Sequence, residues 1–374
     1  MKITILKEKL KEGVNVVERI AQKSLTLPVL NNVLLKGEKT FISLTTTNLE
    51  IGLRWWSLAK IEKEGEILIP VRLLSTLIGF LPNRPLELET DGLFLNIKSG
   101  EYQSRIKGFS PEEFPLLPQI SQEEKVNLDS QDFCQALAQV FDIASSSLAR
   151  PEISGVFFQF QKEQIKIVST DSFRLGEKKI FSKLPLVKEY SFILPQLTTR
   201  EVVNVFGEKE GELRVYFSPN QVLFESLLSE TNHPQVHLVS RLVEGDFPDY
   251  QAIIPKKTET QILLSKNEFL NQIKSASLFS GKISEVKLNV SPQKGKVEIF
   301  SQNPDLGEYQ SNLLGKIKGK AVSASFNHRF LIDGLLKIKS PEVIFELTSG
   351  EEPAVLKPVG AEDYLYVVMP IKTS

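Results

Sequence analysis

One phrase recurs in this chain at domain-sized intervals. Ser169-Thr170-Asp171-Ser172-Phe173-Arg174-Leu175 closes the run Gln164-Ile165-Lys166-Ile167-Val168, whose apolar side chains fall mainly at every second place and so line one face of a strand. The same grammar stands at Phe41-Ile42-Ser43-Leu44-Thr45-Thr46-Thr47-Asn48-Leu49-Glu50-Ile51-Gly52, and again at Val297-Glu298-Ile299-Phe300-Ser301-Gln302-Asn303-Pro304-Asp305-Leu306-Gly307. Aligned on Asn48, Asp171 and Asn303, the copies lie 123 and 132 residues apart. That is the length of a domain, not of a solenoid repeat. A chain of 374 residues built this way reads as one fold written three times.

The first copy opens with a short strand, Lys2 to Leu6, and a helical stripe of Leu6, Leu10, Val14, Val17 and Ala21. Strands are expected at Asn32 to Leu35, Phe41 to Thr45, Glu50 to Trp55 and Gly65 to Pro70, then a helix from Arg72 to Phe80. Further strands follow at Leu86 to Glu89, Leu93 to Lys98 and Ser104 to Ile106. The second copy repeats the order: a strand at Val126 to Leu128, then a helical stripe through Phe133, Leu137, Val140, Phe141 and Ala144. After it come strands at Gly155 to Phe160, Gln164 to Val168 and Tyr190 to Pro195, and a helix from Thr198 to Phe206. The third holds a strand at Gln261 to Leu264, a helix carrying Phe269, Ile273 and Ala276, and a helix from His328 to Lys337. The grammar restarts near Pro118 to Glu124 and near Pro255 to Glu259, so domains are expected over 1–122, 123–257 and 258–374. Two helices against many antiparallel strands in each unit is an α+β arrangement.

Catalytic chemistry is thinly represented. No GxGxxG, GxxxxGK[ST] or GxSxG sequence occurs. His233, His237 and His328 are too scattered for most metal sites, and Pro234 disfavours helix at His233, which would be needed to bring His233 and His237 onto one face. No cofactor or metal is expected. Cys134, the one cysteine, excludes an internal disulfide and reads as a partly buried structural thiol. Asp171 beside Thr170 is read as a side chain that closes a strand by bonding local backbone, as Asn48 and Asn303 do in the same place. The net charge of −1 announces no global basic field, so any nucleic-acid role requires Lys and Arg sorted onto one surface. No apolar run is long enough to span a bilayer, and Met1 to Lys9 holds no signal-like stretch. A cytoplasmic protein is expected.

Thr26-Leu27-Pro28-Val29-Leu30-Asn31-Asn32, Thr170-Asp171 with Arg174-Leu175, Phe247-Pro248-Asp249-Tyr250 and Tyr366-Val367-Val368-Met369-Pro370 together resemble the bacterial sliding clamp, the beta subunit of the replicative DNA polymerase. The similarity runs through the whole chain in order. It implies three clamp domains, each of two helices packed on antiparallel sheets, and a head-to-tail homodimer closing a ring around duplex DNA. It also implies a non-catalytic role: tethering the polymerase, clamp loader and other proteins that carry short Leu/Phe-rich motifs.

By position, the resemblance gives a peptide groove lined by Ile153, Thr170, Ser172, Phe173, Arg174, Leu175, Pro248, Ile253, Phe330, Val367, Val368, Met369 and Pro370. Ser172 and Phe173 stand where Gly or Ser and then His are usual, and Ala252 replaces a frequent Arg, which implies a more apolar partner motif. Ile106, Leu278 and Phe279 are the interface residues it implies. Sequence-independent contact with DNA phosphates is expected of Lys23, Arg72, Arg150 and Arg200. Two other readings compete: a non-encircling peptide-binding scaffold of the same fold, and an enzyme using Asp171 with Arg174.

Overall fold

The computed structural model describes residues 1–21, 27–115, 117, 120, 125–145, 147 and 149–372. Lys23, Thr26, Pro118 and most of the first domain restart therefore lie outside the described residues. Six α-helices occur among the described residues: α1 Lys7–Glu18, α2 Val71–Phe80, α3 Ser130–Val140, α4 Gln196–Phe206, α5 Lys266–Ser277 and α6 His328–Lys337. They come in the expected pairs. Each second helix starts directly after a strand, and in two copies the strand's last residue is a proline, Pro70 or Pro195. Asn327 stands there in the third, and its side chain accepts from the Arg329 N–H at 2.9 Å, capping α6.

The chain packs as two compact units, residues Met1–Cys134 with Arg200–Leu242 and residues Gln135–Thr199 with Val243–Ser374. In the first unit one antiparallel sheet runs in the order Lys60–Lys63, Lys2–Leu6, Pro85–Asp91, Phe94–Ser99, Tyr102–Lys107. The other runs Lys125–Asp129, Glu212–Ser218, Gln221–Leu227, Pro234–Arg241, Ile51–Leu58, Phe41–Thr47, Asn32–Glu38, Gly65–Pro70. Helix α1 packs on this wall with Leu10, Val14 and Val17 buried. Its Gly13 faces the Trp55 ring so closely that a β-carbon would lie 2.3 Å from it, which only glycine permits. Leu6, expected on the α1 stripe, is instead the extended residue before the helix and is exposed.

The second unit has a nine-stranded sheet in the order Tyr190–Pro195, Gly155–Phe160, Gln164–Thr170, Arg174–Phe181, Tyr364–Val368, Ala354–Pro358, Glu342–Leu347, Thr260–Ser265, Lys316–Gly319. A four-stranded sheet runs Gly307–Leu314, Lys296–Asn303, Glu285–Ser291, Val322–Asn327. Helices α5 and α6 pack together, and Gly334 of α6 meets the Tyr366 ring as Gly13 meets Trp55. Tyr364–Val368 is an interior strand: Leu175 pairs with Val367 on one side and Val355 with Val367 on the other. The apolar stripe through Ala144 does not make one helix. Helix α3 stops at Val140 and Phe141–Ile143 tightens into a 3-10 turn.

Candidate functional site

The turn between the strands Gln164–Thr170 and Arg174–Phe181 is built by side chains bonding nearby backbone. Asp171 Oδ1 accepts from the N–H groups of Phe173 and Arg174, each at 2.9 Å. Thr170 Oγ1 donates to the Arg174 carbonyl at 2.7 Å and accepts from the Ser172 N–H at 3.1 Å. Ser172 takes a left-handed φ of 77°. The result pushes Phe173 outward, 61% exposed, and its carbonyl is held by the Met369 N–H at 2.8 Å. Asp171 thus closes the turn.

Arg174 is folded back over its own turn. Its Nε meets Asp171 Oδ2 at 2.9 Å, Nη1 pairs with Asp333 of α6, and the guanidinium carbon lies 4.8 Å from the Phe330 ring centroid. Burial by itself would lower the Arg174 pKa, but Tyr366 and Asp171 hold it above its ordinary value. Tyr366 is itself buried, which raises its phenol, so near pH 7 it is neutral and donates to the Phe330 carbonyl at 2.8 Å. The opposing charge at Arg174 therefore comes from Asp171 and Asp333.

Beneath the turn, Val168, Leu175, Tyr250, Val355 and Val367 form a buried apolar cluster, with Phe157, Phe247, Ile254 and Leu365 packed against it. Tyr250 donates to Glu177 Oε2 at 2.6 Å, and burial followed by that carboxylate raises its pKa. Of the residues expected to line a groove, Ser172, Phe173 and Ile253 are exposed, and Arg174, Pro248, Phe330, Met369 and Pro370 are half-buried. Ile153, Thr170, Leu175, Val367 and Val368 are buried. These five shape the floor more than they offer surface. Asp333, Phe247 and Tyr250 were not expected here; the Phe-Pro-Asp-Tyr order was the only sequence signal for the last two.

Arg150, expected at DNA, lies at this turn: its Nη1 donates to Ser172 Oγ at 3.1 Å and its Nε to Glu152 at 3.0 Å. Arg72 and Arg200 are exposed on α2 and α4. Ile106 is buried, and Arg105 and Lys107 are its exposed neighbours. Leu278 ends α5 and is 70% exposed, while Phe279 stacks on Tyr309 with centroids 6.2 Å apart. His237 pairs with Glu225 at 2.6 Å and His233 stacks on Phe41 at 3.9 Å. No group of His, Cys, Asp and Glu shaped to hold a metal occurs among the described residues.

Models of the DNA polymerase III beta subunit match the chain in three consecutive parts: the N-terminal domain over residues 1–118, the central domain over 127–249 and the C-terminal domain over 251–372. The beta sliding clamp of Bacillus subtilis (strain 168) is 25% identical over the whole of both chains. That of Staphylococcus aureus (strain Mu50) is 27% identical over 93% of each. The solved DNA polymerase sliding clamp of Bacillus subtilis superposes with a TM-score of 0.93 at 25% identity, covering both chains fully. The DNA polymerase III beta subunit of Thermotoga maritima does so with a TM-score of 0.92, also at 25% identity and full coverage.

Proposed function

Because the chain belongs to the DNA polymerase III beta-subunit family, we propose that it is a DNA sliding clamp whose two copies join head to tail, encircle duplex DNA and tether the replicative polymerase. In this reading the domains run over residues 1–122, 123–257 and 258–374. An observation that supports the ring is that each unit offers an outermost strand, among those at the ends of its described sheets, that can take a further strand. Tyr102–Lys107 ends a sheet of the first unit and Gly307–Leu314 ends a sheet of the second, each pairing on one side only. Such edges invite another strand. Exposed apolar side chains lie on or beside these edges in sequence: Leu93, Tyr102 and Phe109 in the first unit, and Leu306 and Leu314 in the second. Two different edges on one chain make a heterologous contact, which closes into a ring when the rotation relating copies is a half-turn.

Duplex DNA passes through such a ring without being read, so phosphate contacts by Arg72 and Arg200 suit it better than base contacts. The groove beside Phe173 receives Leu/Phe-rich motifs of the polymerase, the clamp loader and other partners. The role is non-catalytic: Asp171 and Arg174, the pair an enzyme would use, are spent on closing and bracing a turn. The test combines mass in solution with retention on DNA. A dimer that stays on closed circles and runs off linearised DNA is expected; equal retention on both sinks encirclement and leaves a peptide-binding scaffold.

A further inference from the structure

We propose that the sheet face turned away from α1 carries a stacking site for single-stranded nucleic acid, built on Phe41, Trp56 and His233. Neighbouring side chains of a strand point to opposite faces of its sheet. Trp55 is buried against Gly13 of α1, so Trp56 lies on the far face, where it is half-buried. Strand pairing sets Ser43 opposite Trp56, and Thr45 and His237 on either side of Arg54. Four half-buried rings form a continuous chain on that face. Phe41 stacks on His233 with centroids 3.9 Å apart, His233 meets Trp56 edge-on at 5.6 Å, and Trp56 meets His237 edge-on at 4.8 Å. A slot of about 200 Å³ opens among Phe41, Trp56, His233 and Ser43, with Glu38 and Lys39 also lining it. A cavity of about 150 Å³ is enough for benzene, so this one has room for the planar ring of a base.

The charges around the rings favour an anion. Glu38 is already paired with Lys36 at 2.9 Å, and Glu225 is enclosed by His237 at 2.6 Å, the Tyr216 hydroxyl at 2.9 Å and Arg214 at 3.4 Å. Arg54 and Lys39 have no carboxylate within ion-pair distance among the described residues. Arg54 donates to the Thr45 hydroxyl at 3.0 Å and its guanidinium carbon lies 5.5 Å from the Trp56 ring centroid, while Lys39 is exposed at the turn beside the slot. A ring slot next to unpaired cations matches the two halves of a nucleotide, base and phosphate. The chain of rings offers more than one stacking contact. A run of unpaired bases can use several of these, whereas a duplex keeps its bases stacked on one another. The site depends neither on ring closure nor on the peptide groove.

The test reads, by fluorescence anisotropy on the full chain, the binding of a labelled DNA single strand of about twelve nucleotides and of the matching duplex. Trp56→Ala should weaken the single strand about tenfold, and Trp56→Phe, which restores a ring, should keep most of the affinity. Lys39→Glu should weaken it severalfold at low salt and less at high salt. Duplex affinity should stay as in the parent for each variant. Thermal unfolding checks the folds, and Lys39→Glu, at an exposed turn, decides the matter if Trp56→Ala does not fold. No binding of the single strand by the unaltered chain overturns the site. So does single-strand affinity unchanged by folded Trp56→Ala or by Lys39→Glu, or an equal loss on single strand and duplex. Retention on closed circles is a separate readout, so the clamp reading stands or falls apart from this site.

Discussion

Asn48 and Asp171 close the same turn in two copies of the repeat. Asn48 Oδ1 accepts from the N–H groups of Glu50 and Ile51 at 3.0 and 2.7 Å, as Asp171 Oδ1 accepts from those of Phe173 and Arg174 at 2.9 Å. Leu49 and Ser172 follow them with φ of 76° and 77°. The turn needs an oxygen and not a charge. Asp171→Asn should fold and bind almost as the parent does, losing mainly the Arg174 pair. Asp171→Ala strips two backbone N–H groups of their acceptor and should lose about 1–3 kcal/mol more in urea unfolding. Equal stabilities for the two variants would contradict this account of the turn.

Leu278 projects from the end of α5 with nothing apolar to gain from water, whereas Phe279 is stacked on Tyr309 of its own chain. Burial of such a leucine in an interface is worth about 1.5–3 kcal/mol, and an aspartate there adds the cost of a desolvated charge. Leu278→Asp should therefore shift the dimer toward monomers, and Leu278→Asp with Phe279→Asp should complete the shift. Sedimentation showing an undiminished dimer for the double variant removes this surface from the interface.

Arg72 and Arg200 are exposed, whereas Arg150 is engaged with Ser172 and Glu152. Replacing Arg72 or Arg200 by alanine should each lower the salt-dependence slope of DNA binding by about one. Arg150→Ala should change it less. A slope untouched by both of the first two variants would move the DNA-facing surface elsewhere.

Met369 follows the interior strand Tyr364–Val368, and only its backbone N–H is needed to hold Phe173. Met369→Ala keeps that bond while removing apolar surface, so it should weaken Leu/Phe-rich peptides about tenfold and leave the dimer unchanged. Deleting residues 367–374 is a poorer probe, since it cuts into a strand paired on both sides. Unchanged peptide affinity in Met369→Ala would exclude this residue from the groove surface.

Burial, with Asp129 nearby, pushes the Cys134 thiol up to about 12 from an ordinary value of 9.0, because both disfavour the thiolate. A group whose folded pKa is raised stabilises the fold below its unfolded pKa and loses that contribution as pH rises through the folded one. Stability should thus fall between about pH 9 and 12 through this residue, and Cys134→Ala should flatten part of that fall. At pH 8 a thiol reagent should label the chain only after unfolding. Rapid labelling of the native protein would show that the thiol is accessible and ionised.

Local order was legible in the residues themselves. The strands Gly65–Pro70 and Tyr190–Pro195, read as strands that end at a proline, and the helix His328–Lys337 are the spans observed. The turns at Asn48 and Asp171 were legible too, since each side chain bonds backbone within three residues of itself. Tertiary structure alone decided the pairing of Ile51–Leu58 with Pro234–Arg241 and of Arg174–Phe181 with Tyr364–Val368. It also brought Asp333 to Arg174 across 159 residues and Arg150 to Ser172. The resemblance assigned Leu175 and Val367 to one groove and Ile106 to an interface, but alternation tells which side chains share a face and not which face turns inward, so none of the three could be known to be buried. Partners that meet only when distant strands align leave no periodic trace in the residues that join them.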